Sequence, residues 1–328
     1  MRGGRISTEA PPALWTLDPG IAVLPPRRHD TLVSASIGAT GELVALWAHN
    51  DDEAALRAVT TEPGWVVFPA PRTDRPVPAR VTRQRDATVD VTHLTAVTVA
   101  HPHLQPLPQG RLLVVGARCR WRADGPDRNA VIYGSDGRVE AQATLGDGVE
   151  HVLATTSGEV WVGYFDEGVH GAYGWGDAAA PIGGPGLVRF SAELEPAWRY
   201  PPQVDNPWGA IDDCYALNVT DDAVWTCYHS DFPLVRIHAD AVRDGWRPHI
   251  GGVKAIAVND TRVALFGGYR DRRDHLVIAE LTGAAMRVTG EYQLVLPDGG
   301  PLPGDTTVIG RGEVLHLITD DTWYRLTL

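Results

Sequence analysis

Four residues of this chain combine the types and the positions that could form a divalent metal site or transfer protons. His101 and His103 are two positions apart, so on a β-strand both imidazoles would point to the same side. With His151 and Asp213 they supply the nitrogen and carboxylate ligands that a divalent metal takes in proteins. The alternative is that Pro102 bends the chain into a loop and leaves both histidines merely exposed. On the first interpretation, these residues hold one divalent metal ion.

Lys254 is the only lysine in the chain, whose other 28 basic residues are arginines. An ammonium group that is desolvated titrates at a lower pH and can act as a general base or as a nucleophile that forms a Schiff base. The alternatives are an ion pair with Asp213 or Asp305, or a structural contact with neighbouring strands and water. Tyr215 is a candidate proton donor, with packing between neighbouring sheets as the alternative.

The segment from Phe165 to Asp177 is long, rich in glycine, and carries several residue types that contact ligands. Such extra length is common in binding loops. The candidate contacts here are Asp166, Glu167, His170 and Trp175, with Tyr173 beside the tryptophan. The corresponding later loops add His229, Tyr269 and Arg270. The aromatic residues would form a wall for an apolar or sugar-like ligand, and simple loop packing is the alternative.

Several familiar motifs are absent from the sequence. It has no HExxH, no P-loop, no GxSxG elbow, no EF-hand pattern and no dinucleotide fingerprint. We therefore expect neither a nucleotide cofactor nor a serine hydrolase of the usual type.

The net charge of −12 argues against a nucleic-acid partner and against binding to anionic membranes. No apolar run is long enough to span a membrane, and no signal peptide is recognisable, so we expect a cytoplasmic protein. Cys119, Cys214 and Cys227 lack CxxC spacing and are expected to be buried free thiols, with a bridge between the last two as the alternative.

Two stretches of the chain share one order of elements: an apolar strand, a polar loop, a short apolar strand and a strand that carries tryptophan. The first stretch contains Gly158 to Tyr164, Leu187 to Phe190 and Ala197 to Tyr200, and the second contains Ala223 to Tyr228, Leu234 to Ile237 and Gly245 to Arg247. Short strands in a fixed order, repeated every 40 to 50 residues or so, are typical of β-propeller blades. Weaker copies bring the number of units to six, with five or seven as alternatives.

The sequence thus predicts an all-β, six-bladed β-propeller that forms one domain over residues 1–328. The predicted blades are 31–85, 94–146, 147–204, 209–249, 250–298, and 301–328 together with 12–24. The sixth unit ends one strand short. Since Ala13 to Leu17 resembles Ala197 to Tyr200, we expect this N-terminal strand to complete the last blade and close the ring.

The first strand of each propeller blade lines the central channel. Aligning the units places six residues at equivalent positions: Ser34, His103, His151, Tyr215, Lys254 and Asp305. Two positions earlier stand Leu32, His101, Val149, Asp213, Gly252 and Pro303. The first of these tiers is polar and mostly titratable, which predicts a chemically active channel rather than an apolar plug.

With its repeat order, as in Gly158-Glu-Val-Trp161, the chain resembles the broad group of six-bladed propellers that includes lactonase-type and strictosidine-synthase-like enzymes. The resemblance covers nearly the whole chain and implies the fold. For the lactonase type it also implies a channel calcium held by Glu, Asn and Asp side chains. Asp213 and Asn218 would fit that pattern, but the histidines and the lysine of the ring stand where it has oxygen ligands. This departure disfavours calcium and leaves the substrate class open.

Three functions are compatible with these features. The first is an enzyme that hydrolyses, eliminates or isomerises a small molecule, with or without a metal. In that case His151 or His103 acts as general acid or base, and Lys254 and Tyr215 stabilise charge. The second is a non-catalytic propeller that binds a ligand or a protein through the same face. The third is a structural propeller within a larger assembly.

Overall fold

The computed structural model describes residues 12–62, 66–248 and 250–328. Six sheets arranged around one axis form a six-bladed β-propeller, as the repeat predicts. Residues 1–11, 63–65 and 249 belong to the predicted domain but lie outside the described residues. No helix within the described residues is long and apolar enough to cross a membrane.

Each blade has four strands that run from the channel to the periphery. Blade 1 comprises Asp30–Ile37, Leu43–His49, Arg72–Arg85 and Thr88–Val99. Blade 2 comprises Pro102–Pro106, Leu112–Gly116, Ala130–Tyr133 and Val139–Ala143. Blade 3 comprises Val149–Ala154, Val160–Tyr164, Leu187–Phe190 and Pro196–Arg199. Blade 4 comprises Asp213–Val219, Val224–His229, Leu234–His238 and Ala241–Trp246.

The last two blades receive strands from the N-terminus. Blade 5 comprises Val253–Asn259, Arg262–Gly267, His275–Thr282 and Ala285–Val295, with Ala13–Thr16 added at its outer edge. Blade 6 comprises Thr307–Arg311, Val314–Ile318, Thr322–Thr327 and Ile21–Ala22.

The remaining elements lie in the connections between strands. They are helices Asn50–Leu56 and Asp166–His170, the 3-10 turns Pro108–Gly110, Gln203–Asp205 and Arg270–Arg272, and the two-stranded sheets Val59–Glu62 with Val66–Pro69 and Trp121–Arg122 with Gly125–Pro126.

The second strand of blade 2 shows why the second strands of the blades are largely apolar. Leu112 and Val114 pack in a cluster shared with blade 1, whereas Leu113 and Val115 pack in a cluster shared with blade 3. Successive side chains of a strand point to opposite faces, and here both faces are covered by a neighbouring blade. All four side chains are consequently buried.

An N-terminal strand completes the last blade, as predicted, but the strand is not the expected one. Ile21 and Ala22 pair antiparallel with Trp323 and Thr322 and form the outer strand of blade 6. The predicted segment instead supplies Ala13–Thr16, which pairs in parallel with the outer strand of blade 5. Its tryptophan, Trp15, packs edge-on against Tyr292 of that strand. The prediction for Ala13 to Leu17 was wrong because resemblance to other outer strands indicates an outer position but not which blade is joined.

The inner strands of four blades carry the same β-bulge. Pairing with the second strand skips one residue in each, and the skipped residues are Val33, Glu150, Tyr215 and Lys254. A bulge leaves one residue outside the ladder and re-aims its side chain. The bulges therefore determine which side chains face the channel.

Polar side chains bridge the inner strands near their C-terminal ends. Gln105 donates to Ser36 Oγ at 2.6 Å and accepts from the amide of Ala154 at 3.0 Å, which joins blades 1, 2 and 3. Asn218 donates to the carbonyl of Ile256 at 2.7 Å and exchanges two hydrogen bonds with Gly312, which joins blades 4, 5 and 6. This end of the channel is held by a defined hydrogen-bond network.

Candidate functional site

A cavity of about 1300 Å³ occupies the channel between the inner strands. Ligand pockets usually have volumes of about 300 to 1000 Å³, so the cavity has room for a sizeable small molecule. All four residues predicted to be catalytic line it: His103, His151, Tyr215 and Lys254. Ser34, His101, Asp213 and Asp305 line it as well.

Glu150, Tyr215 and Lys254 are the bulged residues of three consecutive blades, and all three line the cavity. The predicted tier has His151 in place of Glu150 and Ser34 in place of Val33, so it is one residue out of register in blades 3 and 1. The shift arises because simple alternation along a strand does not account for the extra residue of a bulge. Glu150 is accordingly a site residue that the sequence interpretation missed.

Asp213 lines the same cavity as Glu150, close enough for the charge of Glu150 to affect its pKa. Burial raises the pKa of Asp213 to about 6; the negative charges of Glu150 and Asp166 act in the same direction, and His229 opposes them. Within the described residues, neither the Glu150 nor the Asp213 side chain has a hydrogen bond or an ion pair. The site thus holds one carboxyl group with a raised pKa and, near it, a second carboxyl group, both without protein partners among the described residues.

His103 is half-buried between blades 2 and 3, with its Nε2 3.2 Å from the carbonyl oxygen of Val149. A carbonyl only accepts hydrogen bonds, so Nε2 carries the proton and Nδ1 is left as an acceptor. Burial lowers the pKa of His103, against the opposing effect of Glu150, which favours this neutral imidazole. Nε2 of His151 is buried and has no hydrogen-bond partner among the described residues.

The four predicted metal ligands do not assemble. His101 precedes the strand Pro102–Pro106, has a positive φ of 48°, and directs Nε2 to the carbonyl of Ala58 at 2.7 Å. His101 therefore lies outside the strand that carries His103, and its Nε2 is engaged with a backbone carbonyl. Across residues 12–62, 66–248 and 250–328, no group of three or more His, Cys, Asp or Glu side chains is arranged to hold a metal ion.

Tyr215 belongs to an aromatic cluster at the edge of the cavity, together with Phe232, Tyr269 and His229. The hydroxyl of Tyr269 donates to that of Tyr215 at 3.1 Å, and Phe232 packs edge-on against Tyr215 with ring centroids 5.0 Å apart. The hydrogen bond to Tyr269 and burial raise the pKa of Tyr215, so its phenol stays protonated. Its own hydrogen remains available to a ligand. His229 and Tyr269, predicted as substrate contacts, flank Phe232 but do not line the cavity.

The long segment between the second and third strands of blade 3 packs against the rest of the propeller through buried side chains and is not an open binding loop. Arg118, which is buried, donates to both carboxylate oxygens of Asp147, at 2.9 and 2.8 Å, and pairs with Glu167 at 2.5 Å. Its guanidinium lies 4.3 Å from the ring centroid of Tyr173. Trp175 is buried and donates to the carbonyl of Cys119 at 2.8 Å. Glu167 and Trp175, predicted as ligand contacts, therefore serve in packing.

The other predicted loop contacts are exposed and lie outside the cavity wall. His170 pairs with Asp212 at 3.5 Å, Asp166 is exposed at the start of its short helix, and Arg270 lies in a 3-10 turn. Phe165 is the residue of this segment that reaches the cavity. The three cysteines are free and buried, as expected.

A second missed group lies at the mouth beside blade 1. Glu53 in the helix Asn50–Leu56 and Arg57 directly after this helix pair with each other at 3.3 Å and line the cavity. Arg57 also donates to the carbonyl of Leu32 at 3.0 Å. The acidic first turn of this helix was the available signal, since carboxylates favour helix N-termini.

Comparisons with known proteins add little beyond the architecture. Residues 203–325 match the model of the YxzG family. No curated protein matches the sequence significantly. Among solved structures, the extracellular domain of a one-component system from Bacteroides thetaiotaomicron aligns with 91% of this chain and 40% of its own, at 10% identity and a TM-score of 0.45. The chain thus spans well under half the length of that protein.

Two further solved structures align over most of both chains. Virginiamycin B lyase from Staphylococcus aureus, in an inactive form with quinupristin, covers 94% of this chain and 98% of its own, at 10% identity and a TM-score of 0.41. A chain of a nidogen–laminin complex covers 85% and 92%, at 8% identity and a TM-score of 0.46. At such low similarity these proteins give no information on the function of this chain.

Proposed function

We propose that the channel cavity is the active site of an enzyme that moves protons on a small-molecule substrate. The observation that carries this proposal is the pair of Glu150 and Asp213, two carboxyl groups without protein partners among the described residues, in one cavity. Burial raises the pKa of Asp213 to about 6, so this carboxyl group holds a proton at a higher pH than an ordinary aspartate does. Pairs of this kind are typical of general acid and base assignments.

Asp213 is the proposed general acid and Glu150 the proposed general base. Around pH 6 a large fraction of Asp213 is protonated, so it can donate to a leaving group or to a developing oxyanion. Glu150 can then remove a proton from water or from a carbon next to a carbonyl group. Hydrolysis, elimination and isomerisation all use one group that accepts a proton and one that donates it.

Two neighbouring side chains would assist this chemistry. Tyr215 has a phenol hydrogen free to donate, and Lys254 supplies a positive charge from the next blade. Hydrogen-bond donors and cations aimed at developing negative charge stabilise transition states in this way. His103, with Nδ1 as an acceptor, is a further base on the other side of Glu150.

The test is a screen of the purified protein against lactones, esters and β-substituted carbonyl compounds, followed by kinetics on any substrate that is turned over. Asp213→Asn and Glu150→Gln should each lower kcat by about 10²- to 10⁴-fold, the usual contribution of a general acid or base. With Asp213 as the acid, wild-type activity should fall as the pH rises above about 6. Asp231→Asn is the matched control, since Asp231 is an exposed carboxylate paired with Arg247 outside the cavity. Full turnover by both active-site variants would refute the assignment.

A non-catalytic ligand-binding propeller is the second candidate function. It is favoured by the aromatic cluster, in which Tyr269 remains 52% exposed beside Phe232 and Tyr215. Exposed aromatic rings bind ligands without taking part in chemistry. In that case a compound that binds against this aromatic cluster is never converted, and Tyr269→Ala weakens its binding while Asp213→Asn does not.

A further inference from the structure

Two of the bulged inner strands carry side chains of opposite charge that have no protein partner among the described residues. Glu150 in blade 3 and Lys254 in blade 5 have exposed side chains that line the cavity. Within the described part of the chain, neither forms a hydrogen bond or an ion pair. Each bulge fixes the point from which its side chain leaves the strand, and blade 4 lies between them.

Three other pairs of charged groups around the cavity are compensated, whereas Asp305, Asp320 and Asp321 also line it without an ion pair among the described residues. Arg57 contacts Glu53 at 3.3 Å, Arg273 contacts Asp274 at 3.5 Å, and Asp30 contacts Arg80 at 2.6 Å. The charges of these three pairs are thus already compensated. On the bulged strands, Lys254 is the cation and Glu150, with Asp213 near it, is the anion that remain to interact with a ligand.

Tyr215 occupies the bulge between these two charges. Its hydroxyl accepts the hydrogen bond from Tyr269, which orients the phenol and leaves its hydrogen free. A ligand group that accepts hydrogen bonds, such as a carboxylate, can therefore bind Tyr215 and the Lys254 ammonium together. On the other side, Glu150 and Asp213 present only carboxyl groups, to which an ammonium group is the complementary partner.

We infer that the cavity binds a zwitterionic small molecule, whose ammonium group contacts Glu150 and Asp213 and whose carboxylate contacts Lys254 and Tyr215. This inference rests on the proposed function in that it takes the same cavity as the substrate site. A neutral ligand would desolvate both charges without replacing their water, and a ligand with one charge would leave the other uncompensated. A zwitterion compensates both.

The volume of the cavity favours a ligand larger than a single amino acid. A space of about 1300 Å³ suits a short peptide or an amino-carboxylic compound of similar size. The probes for the test are therefore alanine peptides of two to five residues with free ends, since they vary the distance between the two charges. The same peptides with an acetylated amine or an amidated carboxylate each lack one charge.

The experiment measures binding of these peptides by calorimetry or by saturation-transfer NMR, with wild-type protein and with charge variants. For the best free peptide, blocking either end should weaken binding about tenfold or more, as expected for a hydrogen bond to a charged group. In Lys254→Met, amidation should no longer weaken binding. In Glu150→Gln, acetylation should weaken it much less than in the wild type. Each comparison is a double-mutant cycle that isolates one charge contact.

The conservative variants Lys254→Arg and Glu150→Asp are the controls, because each keeps the charge and should keep the discrimination between free and blocked ends. The inference is overturned if blocked and free peptides bind equally well, if the variants do not alter the discrimination, or if no free peptide binds at millimolar concentration. Its failure is distinguishable from failure of the proposed function. Turnover of uncharged substrates without peptide binding would refute only the inference, whereas charge-dependent peptide binding by a protein that converts nothing would refute only the catalysis.

Discussion

The guanidinium group of Arg311 in blade 6 donates a hydrogen bond to the backbone carbonyl of Ala154 in blade 3, on the opposite side of the propeller axis. Both partners are buried. Burial lowers the pKa of Arg311 to about 10, so the side chain still carries its charge at neutral pH. With Gln105 and Asn218, which join three blades each, this contact ties the two halves of the ring together at one end of the channel.

Replacing Arg311 by methionine should destabilise the ring. The carbonyl of Ala154 loses its donor, and a buried acceptor without a partner costs about 1 to 3 kcal/mol. Denaturant unfolding of Arg311→Met should show a loss in this range. Arg325→Met is the control in the same blade: Arg325 is an exposed arginine, 3.3 Å from Asp86, and its loss should change stability by about 0.5 kcal/mol or less. Equal stability of Arg311→Met and the wild type would contradict this prediction. It would show that burying the guanidinium charge costs as much free energy as its hydrogen bond to Ala154 contributes.

Arg118 should control the order of the long segment between blade 3's second and third strands. Arg118→Met leaves Asp147 buried without its bidentate partner, which is expected to cost about 3 to 5 kcal/mol. It also removes the cation over the ring of Tyr173 and the ion pair to Glu167. Limited proteolysis should then cleave within residues 165–186 faster than in the wild type. Arg128→Met, at an exposed arginine, is the control, and an unchanged cleavage pattern in Arg118→Met would contradict this role.

His316 should make the protein sensitive to acid. It is buried in blade 6, where its ring stacks on Trp323 and Nδ1 accepts from the indole nitrogen at 3.1 Å. Burial lowers the pKa of His316 to about 3 from 6.5. Below pH 6.5 the unfolded chain therefore binds a proton that the folded chain does not, and stability falls as the pH drops towards 3.

The measurement is urea unfolding at pH 7.0 and 4.5. His316→Asn keeps an acceptor for Trp323 but does not titrate in this range, so it should lose about 2 kcal/mol less than the wild type between the two pH values. If the variant and the wild type lose the same amount, His316 is not the source of the acid sensitivity.

The architecture was predictable because it depends on features that recur. Strands such as Val160–Tyr164 and Leu112–Gly116 are buried at every position, which is expected where both faces of a sheet are covered. Closure by an N-terminal strand follows from the incomplete sixth unit. The choice of Ile21–Ala22 over Ala13–Thr16 was not predictable, since edge pairing is decided by which blade each segment can reach.

The site was predictable only in part, and for a definite physical reason. Tyr215 and Lys254 were placed correctly in the channel wall because they are themselves the bulged residues. Glu150 was missed because its bulge shifts the register by one, and an alternating pattern then selects His151. The binding loop was overestimated because Trp175 has the composition of a ligand contact, whereas its indole bonds to the carbonyl of Cys119.

The most direct test of the proposed acid–base site is the pKa of Asp213, measured by carbon NMR of the carboxyl group in the wild type and in Glu150→Gln. The predicted result is a value of about 6 in the wild type and a lower value in the variant, because one of the negative charges that raise it has been removed. Burial remains the larger cause, so the value in the variant should stay above the ordinary value of about 3.9. An ordinary pKa in the wild type, or a raised pKa that the variant leaves unchanged, would contradict the proposal that these two carboxyl groups act as a pair.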